Sequence, residues 1–295
     1  MASRAAKRPG ENPSNRPPKR TATSKLDQLV GAGGATRAEE TGGWALADAF
    51  RFRQAMAQEA RRAGFKEELM AALADEWSDA ARLGALLRPT VGTDSSAHDS
   101  LVRLLLHVDA LQSDVAAGLM QLLPDYQEDE VSSGAMSTTR LILSQFRWLE
   151  HIVDGAALVD AASEMMQVAD APLKRELLLV LPDLVQDGQH EAAADTLRSI
   201  LDDDTRFLGC VLDAFGALVL EQDTLTEVCQ TVMAAVAAAS VEDLPVVIRF
   251  LLQHMTATNA KETLKALRTG MHLDLLATTD DANGAARAAT DHQVK

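Results

Sequence analysis

Leu101, Leu104, Leu105, Val108, Val115, Leu119 and Leu122 recur at steps of three and four residues. That spacing draws one apolar stripe along a helix. The same period runs from Trp44 to about residue 270, and no segment of strand period competes with it. Aromatic residues make up only 4% of the chain, with a single tyrosine, while alanine and leucine abound. A sequence poor in β-branched and aromatic residues favours packed helices over sheets. The expected class is all-α.

The helices can be placed from the period and its interruptions. One runs from Trp44 to about Arg62, with Leu46, Ala49, Phe50 and Arg53 at helical spacing, and Gly64 punctuates it. A second carries Leu69, Leu73, Trp77 and Ala80 and ends before Pro89. The leucine stripe predicts one helix from 101 to 122, opened by a capping box of Ser96 and Asp99 and stopped by Pro124. Thr138 to Val153 reads as a helix with Leu141, Gln145, Trp148, Leu149 and Ile152 on one face, closed by Asp154-Gly155 with the glycine in a left-handed cap. Seven shorter helices are expected over 156–168, 172–181, 189–201, 205–220, 224–239, 244–255 and 260–269. The faces Phe207–Val219 and Val247–Met255 are wide, which means burial by neighbours on two sides.

Helices of this length with brief turns, continuing for over 200 residues, predict stacked pairs and not a closed bundle. The expected architecture is an α-solenoid of degenerate antiparallel helical repeats, of the HEAT or ARM kind, over 44–277. A faint echo supports it: Leu123-Pro124-Asp125, Leu181-Pro182-Asp183 and Leu244-Pro245 recur at intervals of 58 and 63 residues. Residues 1–43 are expected to be a disordered tail, because Pro9, Pro13, Pro17, Pro18 and a run of glycines deny it both helix and strand. Residues 278–295 are expected to be a flexible end.

Charge divides the chain the same way. Residues 1–25 hold seven basic groups against Glu11, a balance of +6, and the remaining 270 residues hold 21 basic and 42 acidic groups, a balance of −21. The acidic body repels a phosphate backbone. The basic pairs Lys7-Arg8 and Lys19-Arg20 have the spacing of a two-part nuclear import signal. Cys210 and Cys229 alone cannot build a disulfide scaffold or a multi-cysteine zinc site. No apolar run approaches membrane-spanning length, and the start lacks the apolar stretch of a secretory signal. A reducing compartment is expected.

No catalytic constellation emerges. The seven histidines have no metal-binding spacing, and the thiols face apolar neighbours that disfavour a thiolate. Asp202-Asp203-Asp204 reads as a solvated cap, and Gly31-Ala32-Gly33-Gly34 lacks the lysine of a phosphate loop. The expectation is a non-catalytic scaffold with no cofactor, no metal, no membrane contact and no small-molecule substrate.

Three stretches carry a resemblance. They are Ser100–Gln112 running on to Leu122–Tyr126, Arg140–Gly155, and Glu242–Leu252 followed by His254–Ala257. Within them Arg140, Ser144, Gln145, Trp148, Leu149, Asp154 and Gly155, then Asp243, Leu244 and Pro245, form the most specific signature. The stretches resemble the N-terminal region of the Fanconi anaemia group D2 family, over roughly 65–275, and Gln293-Val294-Lys295 resembles it again. Family members are several times this length, so the resemblance implies that the chain corresponds to their N-terminal portion. It also implies a nuclear, chromatin-associated solenoid that pairs with the Fanconi group I protein. In the family, that pair is monoubiquitinated by the Fanconi core ubiquitin ligase complex and clamps DNA in interstrand crosslink, homologous-recombination and meiotic repair. The acceptor lysine is expected beyond residue 295, so Lys174, Lys261 and Lys265 receive no such role. DNA contact is expected through the full-length complex and not through this acidic stretch. The competing expectation is an unrelated helical-repeat adaptor for protein partners.

Overall fold

The structure, a computed structural model, describes residues 24–38, 43–91, 99–126, 137–147, 149, 151–236, 243–257 and 259–270. Lys7, Arg8, Lys19, Arg20 and Trp148 lie outside the described residues, as do Ser96 and the segment 271–295.

Order begins earlier than expected. Ser24 and Asp27 form a reciprocal capping box that starts α1 (Lys25–Gly31), whose Leu26 and Val30 are buried. β1 (Ala35–Arg37) follows and pairs antiparallel with β2 (Trp44–Leu46), in the register Ala35 to Leu46 and Arg37 to Trp44. Residues 24–38 therefore correct the expectation of a structureless tail through 43. β2 corrects the expected helix start at Trp44. Trp44 and Leu46 point inward while Ala45 is half-buried, and Leu46 N–H and the Trp44 carbonyl bond Val91 at 3.0 and 2.7 Å. A three-residue strand is too short to show a period of its own, so its partners decide it.

The helical body then begins. Asp48 caps α2 (Ala49–Glu59) by accepting from Arg51 N–H at 3.0 Å. Gly64, at φ 79°, opens α3 (Phe65–Trp77). Asp79 caps α4 (Ala80–Leu87), so the second expected helix is two. The leucine stripe also divides, into α5 (Leu101–Leu106) and α6 (Asp109–Leu122), ending in a 3-10 turn at Leu123–Tyr126. Ser100, not Ser96, caps α5. Next come α7 (Thr138–Ser144), α8 (Gly155–Val168), α9 (Ala171–Leu184) and α10 (His190–Asp203). The chain continues with α11 (Leu208–Phe215), α12 (Gln222–Ala235), α13 (Leu244–Gln253) and α14 (Ala260–Gly270). α9 runs through Pro182, beyond its expected end. α11 stops at Phe215, which leaves Val219 79% exposed, off the wide face expected for it.

The fold of the described residues is all-helical apart from the small two-stranded sheet. From α6 onward each helix packs on the second one after it. α6, α8, α10, α12 and α14 follow one another in one row, and α7, α9, α11 and α13 in the other. Rungs α8–α9, α10–α11 and α12–α13 join the rows. Before them α3 packs on α6, α4 on α7 and α2 on α5, and α1 closes against α3. One apolar core runs between the rows, from Leu26 and Phe52 through Leu105, Leu119 and Leu181 to Val247 and Leu267. Each buried leucine contributes about 2 kcal/mol by leaving water. On the outside, ion pairs step along the odd-numbered row: Arg140–Glu176, Arg147–Asp183 and Asp213–Arg249 each span 36 residues. This interval, and not the Leu-Pro echo, is the register of stacked helices.

The signature segment and its cleft as a candidate functional site

The stretch Arg140–Gly155 is expected to be one helix with a glycine stop. It is instead a short helix followed by an irregular return, held by side chains from three other elements. α7 ends at Ser144 with Gln145 as its C-cap, and the Ser144 hydroxyl donates to the Leu141 carbonyl at 2.7 Å. Gln145 is buried. Its amide nitrogen donates to the Leu141 carbonyl at 2.8 Å and reaches the Leu87 carbonyl at 3.4 Å, and its Oε1 accepts from the Ser100 hydroxyl at 2.5 Å. Arg103 adds bonds to the carbonyls of Ser144 and Arg147. Arg140 and Arg147 reach the other way, to Glu176 at 2.8 Å and Asp183 at 2.7 Å on α9.

The return from Leu149 to Asp154 is fastened by two further glutamines. Buried Gln112 on α6 donates to the carbonyls of Leu106 and His151 at 2.9 and 2.7 Å, and accepts from Val153 N–H at 2.6 Å. Gln186 donates to the Ile152 carbonyl at 3.0 Å. The bond to Leu106 satisfies a carbonyl at the end of α5, which is why the leucine stripe breaks there without a proline or glycine. Asp154-Gly155 does not close a helix. Asp154 is the N-cap of α8, accepting from Ala157 N–H at 3.0 Å, and Gly155 is its first residue. A Cβ at Gly155 would lie 2.9 and 3.0 Å from the side-chain Oε1 atoms of Gln186 and Gln189. The glycine serves close approach, not a left-handed turn.

Asp243, Leu244 and Pro245 are elsewhere. Asp243 is the N-cap residue of α13 and Leu244-Pro245 begin the helix, three steps beyond α7 along the odd-numbered row. A Cβ on Gly209 of α11 would stand 2.5 Å from Asp243 Oδ1. The signature therefore divides into two packing sites and brings no reactive group to either. Leu149, with Phe146, Ile152, Leu158, Ala116 and Ala161, lines a small apolar cleft of about 60 Å3 between α6, α8 and the return. Such a cleft can accept one apolar side chain; of its polar lining, Gln112, Ser113 and Asp154, the glutamine is engaged with backbone groups and the Asp154 carboxylate caps α8.

Burial pushes the thiols of Cys210 and Cys229 up from the ordinary cysteine value, which suppresses thiolate. The Asp202–Asp204 run ends α10, and Asp204 is held by Arg206. Side-chain and then backbone hydrogen bonds from Arg206 lower its pKa from 3.8 to about 2. A depressed carboxyl supports the fold above the ordinary aspartate range and loses that support as pH falls through about 2. The Asp204 carboxyl carbon shift is expected to titrate at about 2 and to move back up in Arg206→Ala; an ordinary midpoint in the unaltered chain would refute the pairing. Among the described residues no group of three or more His, Cys, Asp and Glu is set to hold a metal ion, and no helix is long and apolar enough to cross a membrane.

Ser100 and Gln112, missed as functional positions, lie inside the stretch that carries the resemblance, yet their reach across 45 and 41 residues cannot be read from the spacing. Ser100→Ala removes the cap on α5 and the bond to Gln145 together. The expected loss is about 1–2 kcal/mol in urea unfolding, and an unchanged midpoint would mean that neither bond persists in solution.

Known proteins resemble this chain along the same helices. The family model described as "Fanconi anaemia protein FancD2 nuclease" matches residues 51–280. The Fanconi anemia group D2 protein of Gallus gallus is 33% identical over 187 residues, 62% of this chain and 13% of that protein. The homolog of Rattus norvegicus is 32% identical over 174 residues, and that of Mus musculus 30% over 174, each covering 59% of this chain and 12% of the relative. The chain thus spans about an eighth of the length of these relatives. With the family model covering α3 through α14 and the buried glutamine network between them, the chain belongs to the Fanconi anaemia group D2 family.

Proposed function

We propose that this chain is a non-catalytic scaffold of the Fanconi pathway of DNA repair, acting in the nucleus as part of a D2-type protein. The observation that carries the reading is the family match over residues 51–280. Family membership removes the alternative of an unrelated adaptor. The two rows of helices and the ion pairs at 36-residue steps support an α-solenoid of degenerate helical pairs. Such an array offers long surfaces to macromolecules. The partner proposed is the Fanconi group I protein. Monoubiquitination by the core ligase and clamping on DNA are proposed for the full-length complex, because the body here carries −21 outside its first 25 residues.

The family description includes the word nuclease. A metal-dependent nuclease needs carboxylates grouped around its ions, so a cleavage assay is the direct check on the scaffold reading. Three measurements test the reading. The chain should co-elute with a group I-type protein in size-exclusion chromatography; separate elution removes the pairing role from this segment. It should leave a labelled duplex and single strand intact with Mg2+ or Mn2+; cleavage that co-purifies with the chain overturns the non-catalytic role. A fluorescent fusion should lose nuclear accumulation when residues 1–25 are deleted; unchanged accumulation removes Lys7, Arg8, Lys19 and Arg20 from the import role.

A further inference from the structure

Among the described residues the acidic body contains a cationic groove that the proposed function does not use. It measures about 530 Å3 and lies between α2 and the corner joining α5 to α6. Phe50, Arg53, Gln54, Ala57 and Arg61 line one wall. Their spacing places them on one side of α2 and its C-terminal turn, while Phe52 and Met56 enter the core. The other wall runs from His107 to Ala110 at the start of α6. Val108, the N-cap residue there, gives the helix no side-chain cap, so the partial positive charge of a 14-residue helix faces the groove. Asp109 is the single carboxylate in the lining.

Two features mark this groove. Nearby Arg51 and Arg62 are neutralised by Asp48, Glu59 and Glu68. Arg53 and Arg61 have no such partner among the described residues, and the Nε of Arg53 is shut off from water without a hydrogen bond. A buried donor left unpaired is unfavourable, so a carboxylate that draws the Arg53 guanidinium toward the groove relieves it. Phe50 is 66% exposed beside these cations. Exposed aromatic surface next to unpaired arginines is the composition of a docking hot spot.

We propose that this groove docks a short acidic segment of a partner protein. Carboxylates of the segment pair with Arg53 and Arg61, and an apolar side chain rests on Phe50. Nucleic acid fits less well. A duplex carries a charge every ~1.7 Å, and its length beyond the groove would meet a body of −21, whereas a short peptide confines its charge to the cationic spot.

The test uses the full chain and a fluorescein-labelled peptide of glutamates with one leucine, read by fluorescence anisotropy. The N-terminal basic arm stays constant in every variant. The peptide is expected to bind, and Arg53→Glu/Arg61→Glu to weaken it about tenfold or more. The charge-matched control Arg82→Glu/Arg88→Glu on α4 should change it far less. If Arg53→Glu disturbs the circular-dichroism spectrum, Arg61→Glu/Phe50→Ala, which alters two exposed side chains, carries the same comparison. Failure of the peptide to bind, equal losses in the groove and control variants, or stronger dependence of a labelled thymidine oligonucleotide on Arg53 and Arg61 would each overturn the proposal.

Discussion

Arg37→Ala is expected to cost the fold about 3 kcal/mol. Arg37 joins three elements at the start of the chain: its guanidinium bonds Asp27 of α1 at 2.7 Å and Glu76 of α3 at 2.6 Å, while lying 4.8 Å from the ring of Trp44 on β2. Partial burial opposes its charge, yet the bonds to Glu76 and Asp27 outweigh this and raise its pKa. Glu76 is 2% exposed, and its second oxygen has no hydrogen-bond partner. Truncating Arg37 leaves that carboxylate buried without a counter-charge, a situation that costs about 3–5 kcal/mol when fully dry. Arg37 itself is a third exposed, so water reaching the gap keeps the loss at the lower end. Urea unfolding checks this, and Arg37→Met/Glu76→Leu should recover most of the loss because no charge is then stranded. A loss under about 1 kcal/mol for Arg37→Ala would show that the pair behaves as an ordinary surface bridge.

Gln112→Leu is expected to be as damaging for a different reason. The leucine fits the buried volume but deserts three backbone groups: the carbonyls of Leu106 and His151 and the amide of Val153. Each orphaned group costs about 1–3 kcal/mol where water cannot replace the partner. Val153 and His151 lie toward solvent, so the sum is expected near 3 kcal/mol. The sharper readout is local. Hydrogen exchange at the Val153 amide should accelerate well beyond the change in global stability, because its acceptor is gone. Exchange that tracks the global loss alone would mean the return from Leu149 to Asp154 is held by packing and not by the glutamine.

Both sites show where reading the chain in one dimension succeeds. Capping is local, so Gly64 and Pro124 end or begin helices as read, and Pro172 sits in the first turn of α9 as its fixed φ requires. The apolar stripe of α6 is likewise buried at Leu111, Val115 and Leu119, whereas the wide face expected over Val247–Met255 is buried at Val247 and Leu251 and leaves Leu252 and Met255 exposed. The reading fails where a distant group replaces a local one. The break at His107-Val108 has no proline or glycine to mark it; Gln112, six residues beyond Leu106 and held by His151 and Val153 about 40 residues on, supplies the missing donor. The strand at Trp44 exists because β1 and Val91 present it with partners. Asp154-Gly155 has the composition of a helix stop and becomes a helix start, with the Asp154 carboxylate accepting from Ala157 N–H as the cap of α8.

By itself, then, the sequence determined that the chain would be helical, that its stripes would be buried by neighbouring helices, and that its signature residues belong to the D2 family. These follow from periodicity and residue type, which act over one or two helical turns. Only the tertiary structure decided which helices break, which polar groups bridge 30 to 60 residues, and where Arg53 and Arg61 meet the start of α6 in one groove. A hydrogen bond or ion pair between distant segments depends on the positions of both ends, and those are set by the packing of the whole array.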